Sequence, residues 1–321
     1  MPARIPLVLG AAQIGAAEFN PRVADPALAQ AFVDLMLAHG HAGIDTSRIY
    51  CGGSSEQVLG TLDLRGVARV DTKVAPMAPW GHAPEKIRAS LDASRAALNG
   101  KKIRVLYLHA PDRSVPFEET LAALDALHRA GYFEELGLSN YMAWEVAEVV
   151  GICARRGFVA PRVYEGIYNL LDRRVEDELF ACLRKFGIRF AAFTPLAGGY
   201  LSDRFFVPGA QNAGALAKFD ASNKYSWFYT SRYFPMAPAV AELLEVVTAH
   251  GLTLNEVALR WLQWHSMLRP GDHGIIVAAS KEEQLQMTLR DCEKGPLPEA
   301  VVEACEETWR KVKGVAVKYW Q

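Results

Sequence analysis

Gly43-Ile44-Asp45-Thr46-Ser47-Arg48-Ile49-Tyr50 is the stretch that decides how this chain folds. A short apolar run, Ala42 to Ile44, stops at a carboxylate. A loop carrying a tyrosine follows, then Gly52, Gly53 and the helix-opening Ser54-Ser55-Glu56. This is the pattern of a buried strand breaking into a loop, with an acid on its last residue and a phenol just beyond. Alone, an Asp at a strand end does no more than begin a turn. Two further strand-like runs, Val67 to Lys73 and Ile103 to His109, also end in ionisable residues. Asp45, Tyr50, Lys73 and His109 thus fall at or just past the C-terminal ends of three successive runs. A parallel barrel places its active site on that face.

The rest of the chain repeats the strand-then-helix unit. Strands are expected at Pro6 to Leu9, at the opening stretch, up to Lys73, up to His109, and at Glu135 to Asn140, Arg162 to Ile167, Ile188 to Phe193 and Gly274 to Ala278. Between them the apolar spacing predicts helices over Pro26–Leu37, Ser55–Leu62, Pro84–Leu98, Phe117–Ala130, Trp144–Arg155 and Val175–Phe186. Further helices are expected over Ala237–His250, Asn255–His265, Ser280–Leu289 and Pro298–Val312. Tyr200 to Phe234 reads as a long irregular segment whose aromatic residues favour an ordered lid. About eight strands alternating with helices, with no linker, predict one α/β domain over residues 1–321. The fold expected is a (β/α)8 TIM barrel with the C-terminal tail over its active-site face. No GxGxxG follows the first strand, which argues against a Rossmann site.

Composition narrows the function. Half of the 321 residues are hydrophobic, enough for a large core, and the net charge of -1 gives no footprint for nucleic acid. No apolar run approaches the roughly 20 residues of a membrane span, and Met1 to Pro6 lacks the apolar centre of a secretory signal. Five scattered cysteines, with no CxxC pair, suggest reduced thiols and a cytoplasmic address. His39 and His41 end a helix without carboxylate or thiol company, so no metal site is expected. The partner implied is a small molecule, and homo-oligomerisation is left open.

The four strand-end residues make a chemical unit. A phenol has an ordinary pKa of about 10. An ammonium about 4 Å away favours the phenolate by roughly 4 kcal/mol at an effective dielectric near 20, which would bring Tyr50 toward neutrality. Asp45 would keep Lys73 charged, and His109 could donate to a substrate oxygen. Such a set suits a carbonyl becoming an alkoxide.

The order and surroundings of these residues resemble the aldo-keto reductases over nearly the full length. The likeness rests on Gly43–Tyr50, Thr72-Lys73, Leu108-His109, Gly137-Leu138-Ser139-Asn140 and Thr194-Pro195-Leu196-Ala197-Gly198-Gly199. Tyr164–Asn169, Phe193–Gly199 and Lys294–Leu297 make the chain most similar to the aflatoxin-aldehyde reductase branch. The resemblance implies NADPH-dependent reduction of aldehydes or ketones. Tyr50 would be the proton donor, Lys73 and Asp45 its tuning pair and His109 the carbonyl-orienting group. It also implies that Ser139, Asn140 and Glu165 meet the nicotinamide carboxamide and that Phe193 stacks on its ring. Pro195, Leu196, Gly198 and Arg204, with Ala278, Ser280, Lys281, Gln284 and Thr288, would complete the NADPH/NADP+ site, and a helix start bearing a lysine suits the 2′-phosphate. Glu165 stands where the branch usually has Gln, Ala278 where it has Gly, and Thr288 where it has Asn. An ionised carboxylate at 165 would accept from the carboxamide and favour the oxidised, cationic ring.

Trp227, Tyr229 and Arg232 of the lid, with Tyr319 and Trp320 of the tail, are candidate substrate-pocket residues. Arg232 could pair with a substrate carboxylate or the cofactor phosphate. Two other readings compete: a non-catalytic nucleotide-binding regulatory subunit of the same fold, and a metal-dependent barrel hydrolase. Retention of all four catalytic-type residues argues against the first, and the want of a ligand cluster against the second.

Overall fold

Eight parallel strands close on themselves in sequence order. They are β1 (Leu7–Gly10), β2 (Gly43–Asp45), β3 (Arg69–Val74), β4 (Ile103–Leu108), β5 (Glu135–Ser139), β6 (Pro161–Ile167), β7 (Arg189–Phe193) and β8 (Gly274–Val277). The computed structural model describes residues 2–16, 23–206, 218–221, 223 and 226–321. Helices α1 (Pro26–Ala38), α2 (Ser54–Thr61), α3 (Pro84–Ala97), α4 (Phe117–Arg129), α5 (Ala143–Arg156) and α6 (Leu179–Lys185) follow the first six strands. After β7 come α7 (Asp203–Phe206), α8 (Ser226–Tyr233), α9 (Ala237–Ala249) and α10 (Leu254–Trp264). After β8 come α11 (Glu282–Cys292) and α12 (Glu299–Val312). The (β/α)8 TIM barrel is therefore the observed architecture.

Two layers of apolar packing hold it. Val8, Val105, Tyr107, Val163, Ala191 and Ile276 fill the barrel interior. The outward side chains of the strands, such as Leu106, Leu108, Leu136 and Leu138, meet the buried stripes of the helices. On α12 the buried residues Val301, Cys305, Thr308, Trp309 and Val312 recur at the three- and four-residue spacing of one helix face. The helix starts are chemically marked. Asp25 accepts from the Ala27 N–H (2.8 Å) ahead of Pro26, and Thr253 accepts from Glu256 N–H (3.2 Å).

The structure departs from the sequence reading in two places. The helix expected over 175–186 is divided into a 3₁₀ turn, Arg174–Glu176, and α6, because Glu178 takes φ −148° between them. The Tyr200–Phe234 segment, expected to be irregular, contains α7 and α8. Its aromatics supply a local core that such short helices need. Tyr200 stacks on Tyr233 at 5.8 Å and Phe219 on Phe234 at 5.7 Å.

Candidate active site

The barrel register carries the ionisable residues to one end. Asp45 is the last residue of β2, Lys73 lies one residue before the end of β3, and His109 directly follows β4. Tyr50 opens a 3₁₀ turn, Tyr50–Gly53, that leads from β2 into α2. Lys73 is wholly buried. Its Nζ donates to the Asp45 carboxylate and to Thr46 O (3.0 Å), and lies 3.2 Å from Glu165 Oε2. The same ammonium sits 5.3 Å from the centroid of the Tyr50 ring and 5.5 Å from that of Tyr107. Tyr107 is the floor beneath it, and Gly137 makes room for that floor. A Cβ at Gly137 would lie 2.3 Å from Tyr107 Cδ1, so any side chain there would displace the ring.

The cluster tunes its members differently from the sequence expectation. Tyr50 remains partly exposed as a residue, yet burial is the largest influence on its phenol and raises the pKa. Lys73 opposes that rise, but Asp45 and Glu165 add to it, so the phenol ends above its ordinary value rather than near neutrality. Burial outweighs the pull of the ammonium, and the two carboxylates that share it add to the rise. Lys73 is itself displaced upward by those carboxylates against its burial, and so stays charged. Burial, and then the neighbouring Asp45, pushes Glu165 well above the usual carboxylate range, the opposite direction from the ionised group expected of the sequence.

His109 stays neutral. Burial, then the nearby Lys73 charge, pushes its imidazole down to about 3. Ser47 Oγ lies 3.2 Å from its Nδ1. With the serine hydroxyl donating, the ring carries its N–H on Nε2 and can give one hydrogen bond to an oxygen. The Tyr50 and His109 rings meet edge to face at 5.8 Å. Ser47 and the carbonyl of Thr46 are functional neighbours that sequence reasoning missed. Both lie inside the opening stretch, where the alternation of an inward acid with hydrogen-bonding residues was the available signal.

The remaining cofactor-site candidates share the same face. Ser139 on β5 pairs in register with Glu165 on β6, and both are buried. Asn140, at φ 63°, donates from Nδ2 to His109 O (2.8 Å) and Ser139 Oγ (2.9 Å). Phe193 is half-buried against the interior cluster. Beyond it Thr194 holds φ +61°, rare for a β-branched residue and of the kind strained sites retain. Pro195, Leu196 and Gly198 form the turn after β7. Gly198, at φ +74°, accepts the Tyr229 ring so closely that a Cβ would meet Cδ1 at 2.5 Å. At the start of α11, Ser280 donates its N–H (3.1 Å) and its hydroxyl (2.9 Å) to Gln284 Oε1, beside exposed Lys281. Ala278 is exposed and Thr288 half-buried in the same region. Arg204 lies in α7, but its side chain falls outside the described residues.

The lid and tail residues behave differently from the pocket walls expected of them. Arg232 is buried and donates to Asp172 Oδ1 (2.8 Å), while Tyr233 donates to the other oxygen (2.6 Å). The Nη1 of Arg232 is committed to Asp172 and the side chain is buried, which sets it back from a pocket wall, while its Nε takes no hydrogen bond. The Tyr319 hydroxyl is also taken, donating to Glu178 (2.7 Å) and accepting from the Ala143 N–H (3.1 Å). Tyr229 packs on the Gly198 turn. Trp227 is two-thirds exposed, and Trp320 packs edge to face on Tyr319 at 5.0 Å. The tail is fastened to the site, since the Gln321 N–H donates to Asn140 O (3.2 Å).

The fold and the strand-end cluster define a class of protein, and sequence comparison gives it. Residues 6–310 match the model of the aldo/keto reductase family, and the chain belongs to that family. It is 40% identical over 319 residues to human aflatoxin B1 aldehyde reductase member 4, covering 96% of this chain and 94% of that one. It is 38% identical to mouse aflatoxin B1 aldehyde reductase member 2, covering all of this chain and 89% of that one. A fungal aldo-keto reductase of Pseudocercospora fijiensis is 39% identical over 90% of this chain and 99% of its own length. The likeness to the aflatoxin-aldehyde reductases thus runs end to end, and the chain is an oxidoreductase of the carbonyl-reducing kind. Among the described residues, no helix is long and apolar enough to cross a membrane.

Proposed function

We propose that this protein reduces aldehydes or ketones to alcohols with NADPH, and that Tyr50 supplies the proton. The observation that carries the proposal is the meeting of Lys73, Tyr50 and His109 at the ends of β2–β4, with Lys73 fixed by Asp45. The chain fits a nicotinamide at this place. Ser139 offers a hydroxyl beside Glu165, whose Oε2 is buried and takes no hydrogen bond within the protein. A carboxamide brings the donor which that oxygen lacks.

A bound reduced nicotinamide supplies the hydride. His109, neutral and oriented by Ser47, donates to the carbonyl oxygen and selects its position. Tyr50 holds a proton throughout the neutral range and yields it as the oxygen becomes an alkoxide. An alkoxide is about as basic as hydroxide, whose conjugate acid has a pKa of about 15.7, so even a buried phenol delivers the proton downhill. Lys73 then faces the tyrosinate, and its charge lowers the energy of that state. Asp45 keeps the ammonium charged and aimed.

The five thiols are unpaired, in keeping with a reducing compartment such as the cytoplasm. The substrate class is a small carbonyl compound; neither nucleic acid nor membrane enters the reading. Assaying 4-nitrobenzaldehyde and a panel of ketones with NADPH and with NADH tests it. Turnover with a preference for NADPH is the expected result. Cofactor binding without turnover of any carbonyl would favour a regulatory subunit instead.

A further inference from the structure

Around Lys73 the charges do not balance. Asp45 on β2 and Glu165 on β6 flank one ammonium, and all three side chains are buried. Two carboxylates and one ammonium leave a net charge of −1. A buried charge without a partner is costly enough that the group takes a proton instead. The geometry says which carboxyl takes it. Asp45 takes the short direct hydrogen bond from the ammonium, whereas Glu165 Oε2 stands in a longer ion pair at 3.2 Å and meets no full hydrogen bond. The two carboxyls are also within hydrogen-bonding reach of one another, and burial displaces both upward, Glu165 the further.

Among the described residues, the other groups around Glu165 do not supply the missing cation. Tyr50 and Tyr107 are neutral phenols, and the residues beside it on β5 and β7 are Ser139 and Ala191. His109, one strand beyond Lys73, is neutral. Lys73 is the single positive charge that acts on Glu165 among the groups just named.

We propose that in the cofactor-free protein Glu165 carries a proton shared with Asp45, and that binding an oxidised nicotinamide, but not a reduced one, expels this proton to solvent. The inference rests on the nicotinamide lying at Ser139 and Phe193, as the proposed function has it. An oxidised ring is a fixed cation. Beside Glu165 it brings the cluster to two negative and two positive charges, so the carboxyl ionises and its proton leaves. A reduced ring carries no charge, and the proton stays. A glutamine at this position has no proton to release, so the coupling belongs to chains that carry the carboxyl. Its consequence is a product complex that tightens as pH rises.

Calorimetric titration of NADP+ and of NADPH, each in two buffers of different ionisation enthalpy near neutral pH, counts the protons released. The expected result for wild type is about one proton more for NADP+ than for NADPH, and an NADP+ affinity rising about tenfold per pH unit relative to NADPH. The 2′-phosphate titrates near pH 6 in both cofactors and cancels in the comparison. Glu165→Gln should show no difference in proton count between the two cofactors. Equal proton release for NADP+ and NADPH in wild type, or an unchanged difference in Glu165→Gln, overturns the coupling. Infrared spectra of the cofactor-free protein test the shared proton separately: a protonated-carboxyl stretch should be present in wild type and absent in Glu165→Gln. Absence of that band from wild type refutes the shared proton. Failure of both cofactors to bind would refute the proposed function and the coupling with it, while the band still decides the protonation.

Discussion

Replacing Lys73 with methionine removes the cation facing Tyr50 while leaving a side chain of similar length in the barrel. The ammonium lies 5.3 Å from the centroid of the ring over which a tyrosinate spreads its charge. At an effective dielectric near 20, unit charges at that distance attract by about 3 kcal/mol. Lost entirely from the transition state, that would slow the proton-coupled step by roughly 150-fold. The full loss is not expected. Asp45 is held ionised by the same ammonium, so in the variant it protonates and its opposing charge disappears with Lys73. The net expectation is a fall of about 10- to 100-fold. Single-turnover stopped-flow, with NADPH bound and 4-nitrobenzaldehyde added, isolates the step from product release. Thermal melting confirms that the variant is folded. A folded Lys73→Met protein whose single-turnover rate stays within about threefold of wild type would refute the electrostatic role given to Lys73.

Two further expectations concern His109 and Arg232. The imidazole of His109 is pushed from 6.5 down to about 3, so between these values the unfolded chain binds a proton that the folded one refuses. Its stabilising contribution is present above pH 6.5 and is lost as pH falls toward 3, at up to about 1.4 kcal/mol per pH unit. His109→Asn should therefore lose less stability than wild type between pH 6.5 and 5 in denaturant melts; parallel losses would contradict the neutral histidine. Arg232→Leu leaves Asp172 buried without its cation and should cost about 3–5 kcal/mol of stability. Kinetically, the ratio of KM values for carboxylated and uncharged aldehydes should not move. A selective rise for the carboxylated substrate would restore Arg232 to the pocket.

Much of this was legible in the sequence because a parallel barrel writes itself as repeated apolar runs with their chemistry at one end. Asp45, Lys73 and His109 could be placed by that rule alone. What the sequence could not convey was the sharing of contacts across distant strands. Glu165 stands 92 positions from Lys73, and only barrel closure brings its carboxyl to 3.2 Å and buries the Tyr50 phenol, the main cause of its raised pKa. Arg232 and Tyr319 looked available because nothing local reveals their partners: Asp172 is 60 residues from the first, and Glu178 is 141 from the second. The helices α7 and α8 were hidden for a similar reason, since they rest on aromatic contacts from Tyr200 to Phe234 rather than on a periodic stripe.

Tyr50→Phe removes one oxygen and leaves the ring against His109, so it probes the proton donor with little disturbance of packing. With NADPH binding measured beside turnover of 4-nitrobenzaldehyde, the variant should bind the cofactor as wild type does and lose about 10²- to 10⁴-fold in kcat. Turnover within a few-fold of wild type by a folded, cofactor-binding Tyr50→Phe protein would contradict the account.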